Sequence, residues 1–174
     1  MTTLGTTPSE PARRVSHEAA VLDILTESLA DIPGAIFIRG QGRDNRFGID
    51  GWALSPLQLF QFGDLRIELP SATLVVEAES AGGVGNLAKY WPLLRSGALQ
   101  KPMVLAHLFM LGSDGDYIAH RKLWEFLVEC MTHDLQQVGV VRAEHWDARL
   151  FTYRRGEPLD DLQVFLRAEA STAS

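Results

Sequence analysis

A single cysteine, Cys130, leaves no partner for an internal disulfide and fits a reducing compartment. Long apolar runs are missing too. The most apolar stretch, MVLAHLFML, is too short to cross a bilayer and contains His107. The opening MTTLGTTPSEPARR lacks the hydrophobic core of a signal peptide, which argues against secretion. Together these absences predict a cytoplasmic protein with no membrane partner. A surplus of positive charge is also lacking. Lys and Arg number 16 against 22 Asp and Glu, so the net charge is −6 and any phosphate binding must rest on local clusters. The five histidines do not cluster, and His107 reads as a core residue with its hydrogen bonds satisfied. Cys130 reads as core as well. The run GGVG lacks the Lys-Ser/Thr of a P-loop and reads as a turn.

What is present describes a folding chain. Its 46% hydrophobic and 22% charged residues lie well outside the disordered range, and 174 residues can bury one core. Residues 1–14 are rich in Thr, Pro and Ser and read as a flexible tail; 15–168 read as one domain, and 169–174 as a second flexible tail. From Ser16, an N-cap candidate, apolar residues Val21, Ile24, Leu25, Leu29 and Ile32 recur at helical spacing until Pro33. GAIFIRG, LQLFQFGDLRIEL, TLVVEAES, KPMVLAHLFML and HWDARLFTYR read as strands. AGGVGNLAKYWPLL starts a helix that Pro92 kinks or restarts. In DYIAHRKLWEFLVECMTHDLQQVG, Leu123, Phe126, Leu127, Cys130 and Met131 form the expected buried stripe, and Gly139 closes the helix. A short helix around PLDDLQVFLRAEA follows. This order predicts an α/β fold with a central mixed sheet flanked by helices.

The hairpin GDLRIELPSATLVVEAES holds three acids where strands carry apolar residues. Side chains alternate with period two, so Glu77 and Glu79 share a face with Val75, and Asp64 shares one with Arg66 and Glu68. A short connection pairs Asp64 with Glu77, and a shift of two residues pairs it with Glu79. In either register the three acids converge and repel one another. A divalent cation such as Mg²⁺ or Mn²⁺ would remove that cost. Alternatively the acids are the wet face of a half-buried strand, with Arg66 as a surface partner. If repulsion dominates, replacing Asp64 or Glu77 should leave the metal-free fold unchanged or more stable. Beyond the hairpin, Asn86, Lys89 and Tyr90 share one helical face that can lean over the acids.

At these residues the chain resembles the PD-(D/E)XK nuclease superfamily, the restriction-endonuclease-like fold. That family pairs an acid on one strand with acid-x-lysine on the next, followed by a helix packed nearby. Asp64 matches the first acid and Glu77 the second. Glu79 stands at the lysine position, as in Glu-x-Glu variants of some restriction endonucleases; in others the lysine comes from the following helix, a place Lys89 fills. The family's first helix sometimes adds a metal acid, here Glu27 or alternatively Glu18. The likeness follows the order of elements from about residue 16 to 153, and its specific part is Asp64 to Tyr90.

The resemblance implies hydrolysis of a phosphodiester in nucleic acid, DNA foremost. Asp64, Glu77, Glu79 and Glu27 would hold Mg²⁺ or Mn²⁺, Glu79 would bind metal or take a proton, and Lys89 would meet developing charge. Asn86 and the loop arginines Arg39, Arg43 and Arg46 are the candidate phosphate contacts, with Arg154 and Arg155 a smaller second group. Asp50 is the alternative first acid. The other class of function open to this chain is a non-catalytic interaction or nucleic-acid-binding protein that keeps the fold, a homodimer being one form of it.

Overall fold

The computed structural model describes residues 16–40, 42–80, 83–111, 117–139 and 146–173. The expected tail 1–14 lies outside them. Helix α1 (His17–Ser28) begins where Ser16 accepts the Ala19 N–H at 3.1 Å, a side-chain cap for an otherwise orphaned donor. It buries Val21, Leu22 and Leu25, while Ile24 stays 45% exposed. Strand β1 (Ile36–Arg39) follows, then a 3₁₀ turn and the small antiparallel pair β2 (Arg46–Phe47) and β3 (Phe60–Gln61). Strands β4 (Leu65–Glu68) and β5 (Thr73–Glu79) form the hairpin. After it come the short helices α2 (Gly85–Ala88) and α3 (Tyr90–Arg95), strand β6 (Met103–Leu111), helix α4 (Ile118–Val138), strand β7 (Trp146–Arg154) and helix α5 (Asp160–Thr172).

Five strands make one mixed sheet in the order β1-β4-β5-β6-β7. The β1–β4 and β4–β5 pairs are antiparallel, and β5–β6 and β6–β7 are parallel. Parallel neighbours need a crossover, and α2–α3 and α4 supply the two. One face packs Leu74, Val76 and Ala78 with residues of α1 and α5. The other packs Val75, Met103, Leu105 and Phe109 under α2, α3 and α4. The apolar run of β6 lies between these layers, eight of its nine residues buried, as a strand covered on both faces requires. The architecture is therefore α/β, a mixed sheet flanked by helices. No helix among the described residues is long and apolar enough to cross a membrane.

Three expectations change. LQLFQFGDLRIEL is two strands, broken at Phe62–Gly63–Asp64. Gly63 has φ +56, and a Cβ there would stand 2.6 Å from Val75 Cγ1 and 2.7 Å from the Val76 carbonyl oxygen. Only glycine fits that approach. Its own carbonyl accepts from Asn45 Nδ2 at 3.1 Å and Gln61 Nε2 at 2.6 Å, which ties the break to the neighbouring loop.

Helix α4 is rotated relative to its predicted stripe. It buries Trp124, Met131 and Leu135, whereas Leu123 and Phe126 are 44% and 59% exposed and Cys130 is half-buried. The helix carries two apolar stripes, and periodicity gives no reason to prefer either. The indole of Trp124, donating to His107 Nδ1 at 3.0 Å, ties the inward one to the sheet.

Residues 169–173 of the expected C-terminal tail are not loose, and Ser174 lies outside the described residues. Helix α5 runs to Thr172, Ala170 and Ala173 are buried in the core, and the Ala173 carbonyl accepts the Ser71 hydroxyl. Their small side chains are what lets this end pack closely.

Gly63→Ala should lower the unfolding free energy by at least about 2 kcal/mol, from the positive φ and the backbone contact together. Gly85→Ala, with open space around it at the start of α2, should be neutral or stabilising. Urea unfolding of the two variants checks both, and equal effects would refute the packing account of Gly63.

Candidate active site

The acids meet at one end of the sheet because β5 ends where β4 begins. Regular pairing runs from Glu68↔Thr73 to Leu65↔Val76, and Asp64 lies one residue beyond it. Its N–H reaches the Val76 carbonyl at 2.9 Å, and its Oδ2 accepts the Ala78 N–H at 2.9 Å. The side chain thus satisfies a strand donor that has lost its ladder partner and is held beside Glu77.

Glu77 is 1% exposed. Its Oε1 receives Lys89 Nζ at 2.5 Å and the Tyr90 hydroxyl. Lys89 sits at the junction between α2 and α3 with helical backbone angles (φ −65, ψ −25), so the ammonium and the phenol of Tyr90 reach Glu77 from adjacent helical positions. Glu79, half-buried at the end of β5, takes Asn86 Nδ2 on its Oε1. Asn86, Lys89 and Tyr90 therefore do lean over the acids, each bonded to one of them. Arg66 does not neutralise the group. It pairs with Glu68 at 3.3 Å, donates to the Asp44 carbonyl and lies over the Phe62 ring.

Electrostatics follows from this burial. Desolvation pushes the Glu77 carboxyl up to about 7; Lys89 and Tyr90 oppose the rise and the charge of Asp64 adds to it. Burial also raises Asp64, against the Ala78 N–H and Lys89, with Glu18 adding to the rise. Glu79 is raised by burial, against its bond from Asn86, with Asp64 and Glu18 contributing. Tyr90 is held well above the ordinary phenol range, by burial first and by Glu77 second.

One neighbour, His107, carries no sequence signal that links it to the acids, and another, Glu18, is in the sequence only the alternative to Glu27. His107 stands directly across from Glu77 in the parallel β5–β6 register and is fully buried. Its Nδ1 accepts from Trp124, which puts the proton on Nε2; that nitrogen faces the Gly83 backbone without closing a hydrogen bond. His107 is thus the core residue its apolar strand predicts, firmly bonded on its Trp124 side and only loosely held on the side of Gly83. Burial, with Lys89 nearby, lowers its pKa to about 4.

Glu18 is the α1 acid beside the site. It lines, with Leu22 and Arg39, a groove of about 350 Å³ that reaches Asp64. Glu27 is nine positions further along α1, on the opposite side of the helix, and is exposed. It is not a partner of these acids. The choice between the two is a matter of helix phase, which the α1 core contacts decide.

The remaining candidates scatter. Arg39 pairs with Asp23 at 2.5 Å on the rim of the groove. Arg43 is exposed in the 3₁₀ turn, and Arg46 donates to the Pro56 carbonyl at 3.4 Å. Arg154 and Arg155 lie at the end of β7, two strands from β5. Asp50 stands exposed in the loop after β2.

Among the described residues no group of three or more His, Cys, Asp or Glu is disposed to hold a metal ion. Asp64 and Glu77 nonetheless supply the hard oxygen donors that Mg²⁺ takes, and one or two carboxylates suffice when water and substrate phosphate complete the shell. The donor chemistry fits a two-carboxylate site, with Glu79 beside it. Neither a scan against protein-family models nor a search of curated proteins finds a match to this chain.

Removing Glu77 strands Lys89 and Tyr90 without their acceptor, so the expectation that its loss is harmless is replaced by a pH-dependent one. Between about 4.5 and 7 the folded state holds a proton on Glu77 that the unfolded chain releases, so its contribution to stability falls as pH rises. Between 6.5 and about 4 the unfolded chain protonates His107 first, so its contribution falls as pH drops. The two slopes oppose each other. Glu77→Gln should leave a protein more stable at about pH 7 than at about pH 5, and His107→Leu one with the reverse preference, each by up to about 3 kcal/mol. Urea midpoints at the two pH values test this, and parallel profiles for both variants would refute it.

Proposed function

We propose that the chain is a divalent-metal-dependent phosphodiesterase of restriction-endonuclease-like fold acting on nucleic acid, DNA foremost. One observation carries the reading: a buried strand carboxylate, Glu77, meets a lysine ammonium at 2.5 Å beside a second strand acid, Asp64, at an open end of the sheet. Structural ion pairs are placed on surfaces at little cost; burying one beside a further carboxylate is costly, and such clusters mark functional sites. The order of α1, three antiparallel strands, a helical crossover and a parallel strand agrees with the resemblance.

Asp64 and Glu77 would hold Mg²⁺ or Mn²⁺, whose contribution is to polarise the phosphate and acidify a water. The protein's own groups do the rest. The Ala78 N–H fixes the aim of Asp64, and Lys89 with Tyr90 fixes that of Glu77. Asn86 orients Glu79, whose raised pKa suits it to take a proton from the attacking water. Lys89 is paired with Glu77, and its compact charge on a flexible stem can turn from Glu77 to a phosphate oxygen. Arg39 at the groove rim offers a contact to the next phosphate.

A second reading has its own support. Glu77, Lys89 and Tyr90 satisfy one another without a metal, and the net charge is −6. A non-catalytic protein that keeps the fold would look the same at these three residues.

Cleavage assays separate the two. With Mg²⁺ or Mn²⁺ the wild type should nick single- or double-stranded DNA, and Lys89→Ala should slow this by roughly 10²–10³-fold, the scale of one lost transition-state contact. Metal affinity by calorimetry should rise in Lys89→Ala, which removes the cation competing for Glu77, and be lost in Asp64→Asn. Lys89→Arg should restore part of the rate. A wild type that neither binds the metals nor cleaves any DNA would establish the non-catalytic reading.

A further inference from the structure

Away from the acid site, α4 presents an apolar face that nothing in the described residues covers. Ala119, Leu123, Phe126, Cys130 and His133 recur at alternating intervals of four and three, the spacing of a coiled-coil seam. Leu123 and Phe126 are 44% and 59% exposed, and Phe126, Cys130 and His133 line a shallow apolar groove along the helix. This stripe points away from the buried one of Trp124, Met131 and Leu135, so packing of the fold does not account for it.

Charge along the helix identifies the occupant. The exposed residues Arg121 and Lys122 make the N-terminal half of α4 basic, and the exposed Glu125 and Glu129 make the following turns acidic. A parallel partner of the same kind would set like charge against like. An antiparallel copy sets each basic half against an acidic one. In the register that seats Leu123 on the second copy's Phe126, Ala119 meets its Cys130, and Lys122 runs alongside its Glu129. Two-fold symmetry repeats every one of these contacts.

We propose that two copies of this chain associate through antiparallel pairing of their α4 helices, with Leu123 and Phe126 at the centre and Lys122–Glu129 pairs on the flank. The inference is independent of what the acid site does. The helix, 21 residues long, is about 31 Å from end to end, enough for several layers of the seam.

Sedimentation velocity on the full chain at up to about 100 μM should show a dimer. Lys122→Glu should weaken it about tenfold, since two symmetric attractions become repulsions. Combining Lys122→Glu with Glu129→Lys should restore it, an outcome that misfolding cannot imitate. Phe126→Glu should give monomer. Oxidation supplies the register: Ala119→Cys should form a covalent dimer through Cys130 of the second copy, whereas the wild type, with Cys130 alone, should not. A wild-type monomer throughout the range overturns the proposal, as does a dimer indifferent to both Lys122→Glu and Phe126→Glu. A Cys130–Cys130 disulfide in the wild type overturns the antiparallel register.

Discussion

A carboxylate with almost none of its surface in water must find its counter-charge inside the protein, and much of the structure around Glu77 is arranged to provide one. The turns of α2 and α3 set Lys89 and Tyr90 side by side over the strand. Gly63 lets the chain approach β5 where no side chain could, which lets Asp64, one residue before β4, stand beside Glu77. His107, on the adjoining strand, stays neutral under the same burial and the same lysine. Each of these features would be difficult to explain alone. Together they are the local cost and remedy of burying one charge.

That remedy also shapes the chemistry. Lys89 is both the partner that keeps Glu77 tolerable at rest and the cation a phosphate would require, so binding an anionic ligand and releasing Glu77 are coupled through one side chain. A carboxyl pushed up to about 7 changes charge near neutrality, so a cation arriving at Asp64 and Glu77 would compete with both the proton and the lysine. The site is therefore responsive to charge whether or not it cleaves. This is why the catalytic and non-catalytic readings share the same three residues and differ in what displaces the lysine.

Helix α4 shows a different use of one element. Its inner stripe joins the sheet and, through Trp124, orients His107 beside the acids. Its outer stripe carries the exposed apolar side chains of Leu123 and Phe126. Apolar residues therefore stand on two sides of the helix, with the charged residues Arg121, Lys122, Glu125 and Glu129 exposed between and beside them.

Much of this was legible in the residues. The α/β order followed from strand and helix periods separated by turn chemistry, and the doubly covered β6 from its unbroken apolar run. The placing of Asp64 beside Glu77 agrees with the parity and register of the hairpin, and the approach of Asn86, Lys89 and Tyr90 with their spacing along the helical turns. These are local relations, set by repeat geometry within a few residues. What stayed hidden depends on contacts between distant segments. The pairing of His107 with Glu77 needs the parallel register of β5 and β6, and the choice of Glu18 over Glu27 needs the phase of α1 against the core. Which stripe of α4 turns inward was likewise settled by Trp124 meeting His107. The closing of α5 onto Ser71 depended on small residues that composition alone marks as a tail. Sequence by itself determined which groups could share a face. The tertiary structure decided which faces meet, because register and helix phase are fixed by the packing of the whole core and not by any one segment.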